Sequence, residues 1–211
     1  MKKNLLLAFQ FTVMAQLAFA EGRLRLAKQP GVQEEGGTLT RYSVQTERRE
    51  FHFLPPPDWQ VTLDDAAQAV VFAPRDGSVR FSLKITWSAG AKPALPDLAA
   101  LRSQLLERHP DTIITEEFTA HASQESGPAF DLTYTTAKTY SLASRVAFIP
   151  FPGGMVEFEL TARPEKFAQN HLTFGRLLNS FQIEEAGPPV ARRAPSAAVA
   201  LDFQTRPAAA K

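Results

Sequence analysis

Apolar and polar positions alternate along Val79, Phe81, Leu83, Ile85 and Trp87, with Arg80, Ser82, Lys84 and Thr86 between them. A period of two belongs to an extended chain with one buried face, so this stretch predicts a strand. The apolar run Val70-Val71-Phe72 precedes it across Pro74-Arg75-Asp76-Gly77. An Asp-Gly pair between two apolar runs supplies the positive-φ positions of a tight turn, which predicts an antiparallel hairpin. Beyond a loop at 91–95 the period changes. Leu98, Leu101 and Leu105 recur at helical spacing, Pro96 and Asp97 suit a first turn, and Pro110 suits a stop.

Four more strands are expected, over Thr112–His121, Ala129–Ala137, Tyr140–Phe151 and around Val156, Phe158 and Leu160. The connecting segments Ser126-Gly127-Pro128 and Pro152-Gly153-Gly154 carry turn chemistry that favours hairpins over crossover helices, giving an antiparallel meander. A second helix opens after Pro164, with Phe167, His171, Phe174 and Leu178 on one stripe, and Phe181–Ile183 returns as a short strand. The pattern predicts a single α+β domain, a central antiparallel sheet of about six or more strands packed with helices segregated from them.

The two ends read differently. Lys2 and Lys3 precede an apolar stretch from Leu5 to Phe19, which closes with Ala18-Phe19-Ala20 before Glu21. This is the pattern of a secretory signal with cleavage between Ala20 and Glu21, and the run is short for a membrane span of about 20 residues. The expectation is an exported, soluble periplasmic or extracellular protein without stable membrane insertion once the signal is removed. Residues 21–46 read as a partly disordered N-terminal arm, with order starting near Thr38. Residues 47–185 form the folded domain. Residues 186–211, rich in Ala and Pro, read as a disordered tail because they offer little apolar surface against the entropy of ordering.

Composition narrows the function. Without Lys2 and Lys3, 21 basic side chains face 22 acidic ones, and residues 47–185 hold 13 basic and 18 acidic residues. A mildly acidic body repels phosphate backbones and argues against nucleic acid as a partner. The absence of cysteine excludes disulfides, thiol chemistry and cysteine-ligated zinc. Stability must therefore come from a hydrophobic core, and Trp59, Phe81, Trp87, Phe158, Phe174 and Phe181 are its expected anchors.

Catalytic templates such as a nucleophile elbow, a zinc-protease helix or a phosphate-binding loop are missing from the sequence. Glu117 and His121 share one strand face and would meet a metal only with further ligands from neighbouring strands. His171 lies in an apolar helical stripe, where a core histidine is the commoner role. His52 and His109 stand apart from it in sequence. Glu157 and Glu159 alternate with Val156, Phe158 and Leu160, the pattern of a solvent-facing strand surface more than of a glycosidase pair. Phe51, Phe53 and Trp59 could form an aromatic platform, but core packing is the commoner use of such residues at the edge of a sheet. No catalytic, cofactor-binding or metal-binding residue is assigned.

The element order and three landmarks resemble the Mog1/PsbP-like superfamily (the PsbP/Mog1/DcrB type). These landmarks are Phe51-His52-Phe53-Leu54-Pro55 leading to Trp59, the strand Val79–Trp87, and the closing Leu178-Asn179-Ser180-Phe181. The resemblance spans roughly Arg49 to Glu185 and departs from the pattern at Pro56-Pro57-Asp58, where many relatives have a single Gly before Trp. It implies a central antiparallel sheet flanked by helices, and a binding or assembly role instead of an enzyme. The expected function is a non-enzymatic exported module that holds an envelope protein, with no cofactor. A carrier of a small apolar or lipid-like ligand, in a pocket lined by Phe81, Leu83, Phe130, Phe158, Phe167 and Phe174, is the alternative, and a hydrolase the third.

Overall fold

The computed structural model describes residues 24–29, 33–34, 37–38, 40–88, 97–109, 111–136 and 139–185. The expected signal segment, its cleavage site at Ala18, Ala20 and Glu21, the loop at 91–95 and the tail at 186–211 lie outside the described residues.

The described residues begin with β1 (Arg25–Gln29), a two-residue ladder of β2 (Gln33–Glu34) and β3 (Gly37–Thr38), then β4 (Arg41–Gln45) and β5 (Arg49–Phe53). A meander follows as β6 (Gln60–Asp64), β7 (Ala69–Ala73) and β8 (Val79–Trp87). Helix α1 (Leu98–Arg108) crosses to the far edge of the sheet. From there β9 (Ile113–Ala122), β10 (Glu125–Thr135), β11 (Ser141–Phe151) and β12 (Gly154–Ala162) step back inward. The closing segment runs α2 (Pro164–Phe167), a 3-10 turn over Ala168–Asn170, α3 (His171–Ser180) and β13 (Gln182–Glu185).

These strands form an antiparallel seven-stranded sheet of order β6-β7-β8-β12-β11-β10-β9 and a four-stranded sheet of order β1-β4-β5-β13. The architecture is an α+β fold, as the periodicity predicts, but the central sheet is joined by a second one. Phe181–Ile183 feeds that second sheet: Ile183 pairs with Phe51 of β5, not with the meander.

Order also begins earlier than Thr38. Arg25–Gln29 pairs along its length with Arg41–Gln45, and Leu24 is buried in the main core. Only Leu24 and Leu26 carry the apolar alternation there, too short a signal for a period to show. The boundary expected at 47 falls inside the β4–β5 hairpin, whose turn is closed by the Thr46 amide donating to the Arg49 carbonyl at 2.9 Å.

The turns differ in one place from expectation. Asp76-Gly77 does close the β7–β8 hairpin, with Gly77 at φ 63. Ser126-Gly127-Pro128, however, lies within β10, and the β9–β10 hairpin turns at Ser123 and Gln124, both at positive φ. Gly127 is required there by close approach, because a Cβ on it would collide with the Phe148 carbonyl. Pro128 precedes Ala129, the first β10 residue paired with β11, so its missing N–H breaks no bond of that ladder.

The two sheets and α3 enclose the main core. Phe53 meets Phe72 at 4.8 Å between ring centroids, Phe72 meets Phe81 at 5.3 Å, and Phe81 meets Phe174 of α3 at 5.7 Å. Phe158 and Phe181 pack edge to face at 4.9 Å. Of the six expected anchors, Phe81, Phe158, Phe174 and Phe181 are buried, while Trp59 and Trp87 are partly buried at the rim of the cluster. Trp59 follows a turn in which its amide donates to the Pro56 carbonyl at 3.3 Å and Asp58 takes φ 65. A glycine suits that position best, and here an aspartate fills it. Ser180 ties the end of α3 to the second sheet, donating to the Leu177 carbonyl and accepting from the Leu54 amide.

Phe81→Ala is expected to cost about 3 to 5 kcal/mol, and Trp59→Ala only about 1 to 2 kcal/mol because its ring is partly in water. Urea unfolding followed by circular dichroism checks the order; equal midpoints for the two variants would contradict this account of the core.

Candidate functional site

The face of the large sheet opposite the main core is only half covered. Helix α1 turns Leu101 and Leu105 onto Phe130, Leu132, Val146 and Phe148, with Ile114 and Met155 at the margin. Those residues belong to β9 through β12, and the face of β6, β7 and β8 extends past the helix. On this floor Lys84, Ser82 and Arg80 of β8 stand in register with Glu157, Glu159 and Thr161 of β12. The result is a cleft of about 930 Å³. One wall is the end of α1, where Gln104 and Arg108 sit one turn apart and His109 follows; the others are the β7–β8 turn at Asp76–Ser78 and the start of α2.

Its electrostatics are organised by Arg108. The guanidinium donates to both Glu157 oxygens, at 2.6 and 2.9 Å, and lies 4.0 Å from Glu159. Burial disfavours the Arg108 charge, but the Glu157 hydrogen bonds and the two carboxylates outweigh it and raise the pKa further above its ordinary value. Glu157 is 8% exposed, so this strand face is not the open solvent surface that its alternation suggests. A chain of hydroxyls runs beneath: Tyr134 to Ser144 at 3.3 Å, Ser144 to Thr161 at 2.8 Å, and Thr161 to Glu159 at 3.3 Å. The His109 ring stacks on Tyr134 with centroids 4.0 Å apart. At the rim, hydrogen bonds from the Ser78 amide and hydroxyl, with the charge of Lys166, hold Asp76 below the usual carboxylate range.

The other candidate residues are dispersed. Glu117 is engaged by Arg102 of α1 through two bonds of 2.7 and 2.5 Å, not by His121. No group of three or more His, Cys, Asp or Glu suited to a metal occurs among the described residues. Phe51 and Phe53 are buried, so they cannot serve as an exposed platform with Trp59. Phe81, Leu83, Phe158 and Phe174 pack in the main core, whereas Phe130 lies on the other sheet face under α1, so the expected pocket lining is divided between two packed layers.

His171 is half-buried at the start of α3 with its ring 4.6 Å from Phe167, and its Nε2 has no hydrogen-bond partner. Nearby, Arg145 pairs with Asp131 through two bonds of 2.7 Å and lies over the Phe118 ring. Lys84, Ser82, Arg80, Arg108, Arg163 and Lys166 escape a reading of sequence alone. For Lys84, Ser82 and Arg80 the only signal is the polar half of a strand alternation, which by itself says solvent.

No family model matches the chain, and no curated protein matches it. Solved structures do. Cyanobacterial PsbP from Synechocystis sp. PCC 6803 aligns with a TM-score of 0.50 at 12% identity, over 79% of this chain and 96% of that one. LpqN, involved in cell envelope biogenesis of Mycobacterium tuberculosis, aligns with a TM-score of 0.42 at 14% identity, over 75% and 91%. PA94 from Pseudomonas aeruginosa, a protein of unknown function, gives 0.42 at 12% identity, over 74% and 80%. The chain has a PsbP-like fold, and at this identity the likeness extends to the fold alone. Among the described residues, no helix is long and apolar enough to cross a membrane.

Two outcomes follow from the ion pairs. Arg108→Met is expected to cost about 3 kcal/mol by leaving Glu157 charged and unpaired, and Arg108→Met combined with Glu157→Leu should recover most of it. Denaturant unfolding that finds single and double variants equally unstable would contradict that role for the pair. His171 has its pKa lowered from the ordinary 6.5, first by burial and then by Arg145, against the opposing charges of Asp131 and Glu116. The folded chain thus binds fewer protons here than the unfolded chain. This contribution to stability is full above about pH 6.5 and is lost as pH falls through the lowered value. His171→Gln should flatten the fall in melting temperature between about pH 7 and 5; an unchanged slope would show that other groups cause it.

Proposed function

We propose that this chain is an exported, non-enzymatic binding or assembly module of the cell envelope, which holds its partner in the open polar cleft over β8 and β12. The observation that carries this reading is the incomplete covering of one sheet face: α1 shields the apolar strands and stops where charged side chains begin. Nine of the 20 cleft-lining residues are charged, which suits a polar partner and opposes an apolar ligand. Export rests on the signal pattern ending at Ala20. The fold is compatible with such a module, and the link to the envelope is an inference from export.

Binding without catalysis is supported by the state of the acids. A glycosidase needs one carboxyl able to donate a proton, and a carboxylate held by both branches of an arginine is poorly suited to that task. The apolar carrier has less support, since the side chains that would line its pocket fill the core instead.

The experiment is capture from the native envelope fraction with the mature chain as bait. Ser82→Tyr, which fills the cleft floor, should lose the partner while its melting temperature stays within about 2 °C of the parent. Thr119→Tyr, at an exposed position on edge strand β9, should retain it. A partner captured equally by the parent and both variants would place binding elsewhere.

A further inference from the structure

The acids and bases of the cleft are unequally occupied. On the acidic side, Glu157 accepts two bonds from Arg108, Glu159 accepts one from Thr161, and Asp76 accepts the Ser78 amide at 3.0 Å. Glu165, at the exposed rim, is the cleft carboxylate outside these contacts. On the basic side, Lys84 and Arg163 line the cleft with no side-chain hydrogen bond or ion pair among the described residues. Arg80 has one ionic contact, 3.8 Å from Asp64, and both side chains are well exposed. Lys84 stands opposite Glu157 in register, but both Glu157 oxygens are taken by Arg108. Apart from exposed Glu165, the cleft carboxylates are therefore engaged within the protein, while Lys84, Arg80 and Arg163 keep donors for an incoming group.

We propose that the cleft binds an oxyanion group of its ligand, a carboxylate or a phosphate, between Arg80, Lys84 and Arg163. This rests on the reading of the cleft as the binding surface and adds the chemistry it selects. Arg80 and Lys84 lie on the same face of one strand, roughly 13 Å apart along the backbone, with Ser82 midway. All three cations line one cleft together with Ser82, and Arg163 stands at its end where β12 passes into α2. A concave site walled by low-dielectric protein strengthens the field of these cations beyond that of a flat surface. The body as a whole is acidic, so attraction of an anion is local to this cleft.

The test is a proton–nitrogen NMR titration of the mature chain with inorganic phosphate, with galacturonate, and with galactose as the uncharged counterpart of galacturonate. Saturating shifts are expected at the amides of residues 80–84 and 163 with at least one anion. Galactose should produce none, and affinity should fall as salt rises from about 20 to 200 mM. Saturation by phosphate alone assigns the group as phosphate, and by galacturonate alone as carboxylate. Lys84→Gln and Arg163→Gln, both exposed substitutions, should each weaken binding about three- to tenfold. Absence of saturating shifts with either anion, equal binding of galactose, or affinities unchanged in both variants would overturn the inference. Should Ser82→Tyr still abolish capture of the partner in that event, the cleft remains the binding surface and only its oxyanion chemistry is lost. If Ser82→Tyr captures normally, the underlying reading falls.

Discussion

Phe81 is the contact on which the rest of the structure depends. Its ring touches Phe72 on the neighbouring strand, Phe158 on the opposite neighbour and Phe174 on α3. Through Phe72 and Phe53 the contacts reach the four-stranded sheet, and through Phe158 and Phe181 they return to the segment that leads into β13. One residue thus links β8 and its two neighbours to α3 and, through Phe72 and Phe53, to the second sheet. With no cysteine to cross-link the chain, this apolar burial must offset the conformational entropy of folding.

A core filled this way moves function to the other face. The connection from β8 to β9 must travel from the middle of the large sheet to its edge, and α1 makes that crossing above β9 through β12. An eleven-residue helix cannot also cover β6 through β8. The uncovered floor is therefore a consequence of topology, and the side chains on it are the polar half of the alternation that buries Phe81 and Leu83. Arg108, near the end of the same helix, holds Glu157 at the boundary between covered and open face. Packing and site share the same strands.

Strand β8, helix α1 and most of the meander were legible because long periodic runs report which face is buried. The four-stranded sheet was less so. Its strands are four or five residues long, and β5 finds β13 across more than a hundred residues, a pairing no local pattern encodes. The β9–β10 turn hid because Ser123 and Gln124 take positive φ without glycine, while Gly127, the apparent turn residue, serves a close approach within a strand. The cleft was invisible for a related reason. Lys84, Glu157 and Arg108 are neighbours only through sheet register and helix placement, and each alone reads as an ordinary surface charge.

The central claim is that the half-open face over β8, and not the core or a sheet edge, is where this protein meets its partner. Site-specific photocrosslinking in the native envelope tests it most directly, with a benzophenone side chain placed at Ser82 or at Thr119 on edge strand β9. The account predicts a discrete adduct from Ser82 and none of comparable yield from Thr119. An adduct from Thr119 with none from Ser82 would contradict it.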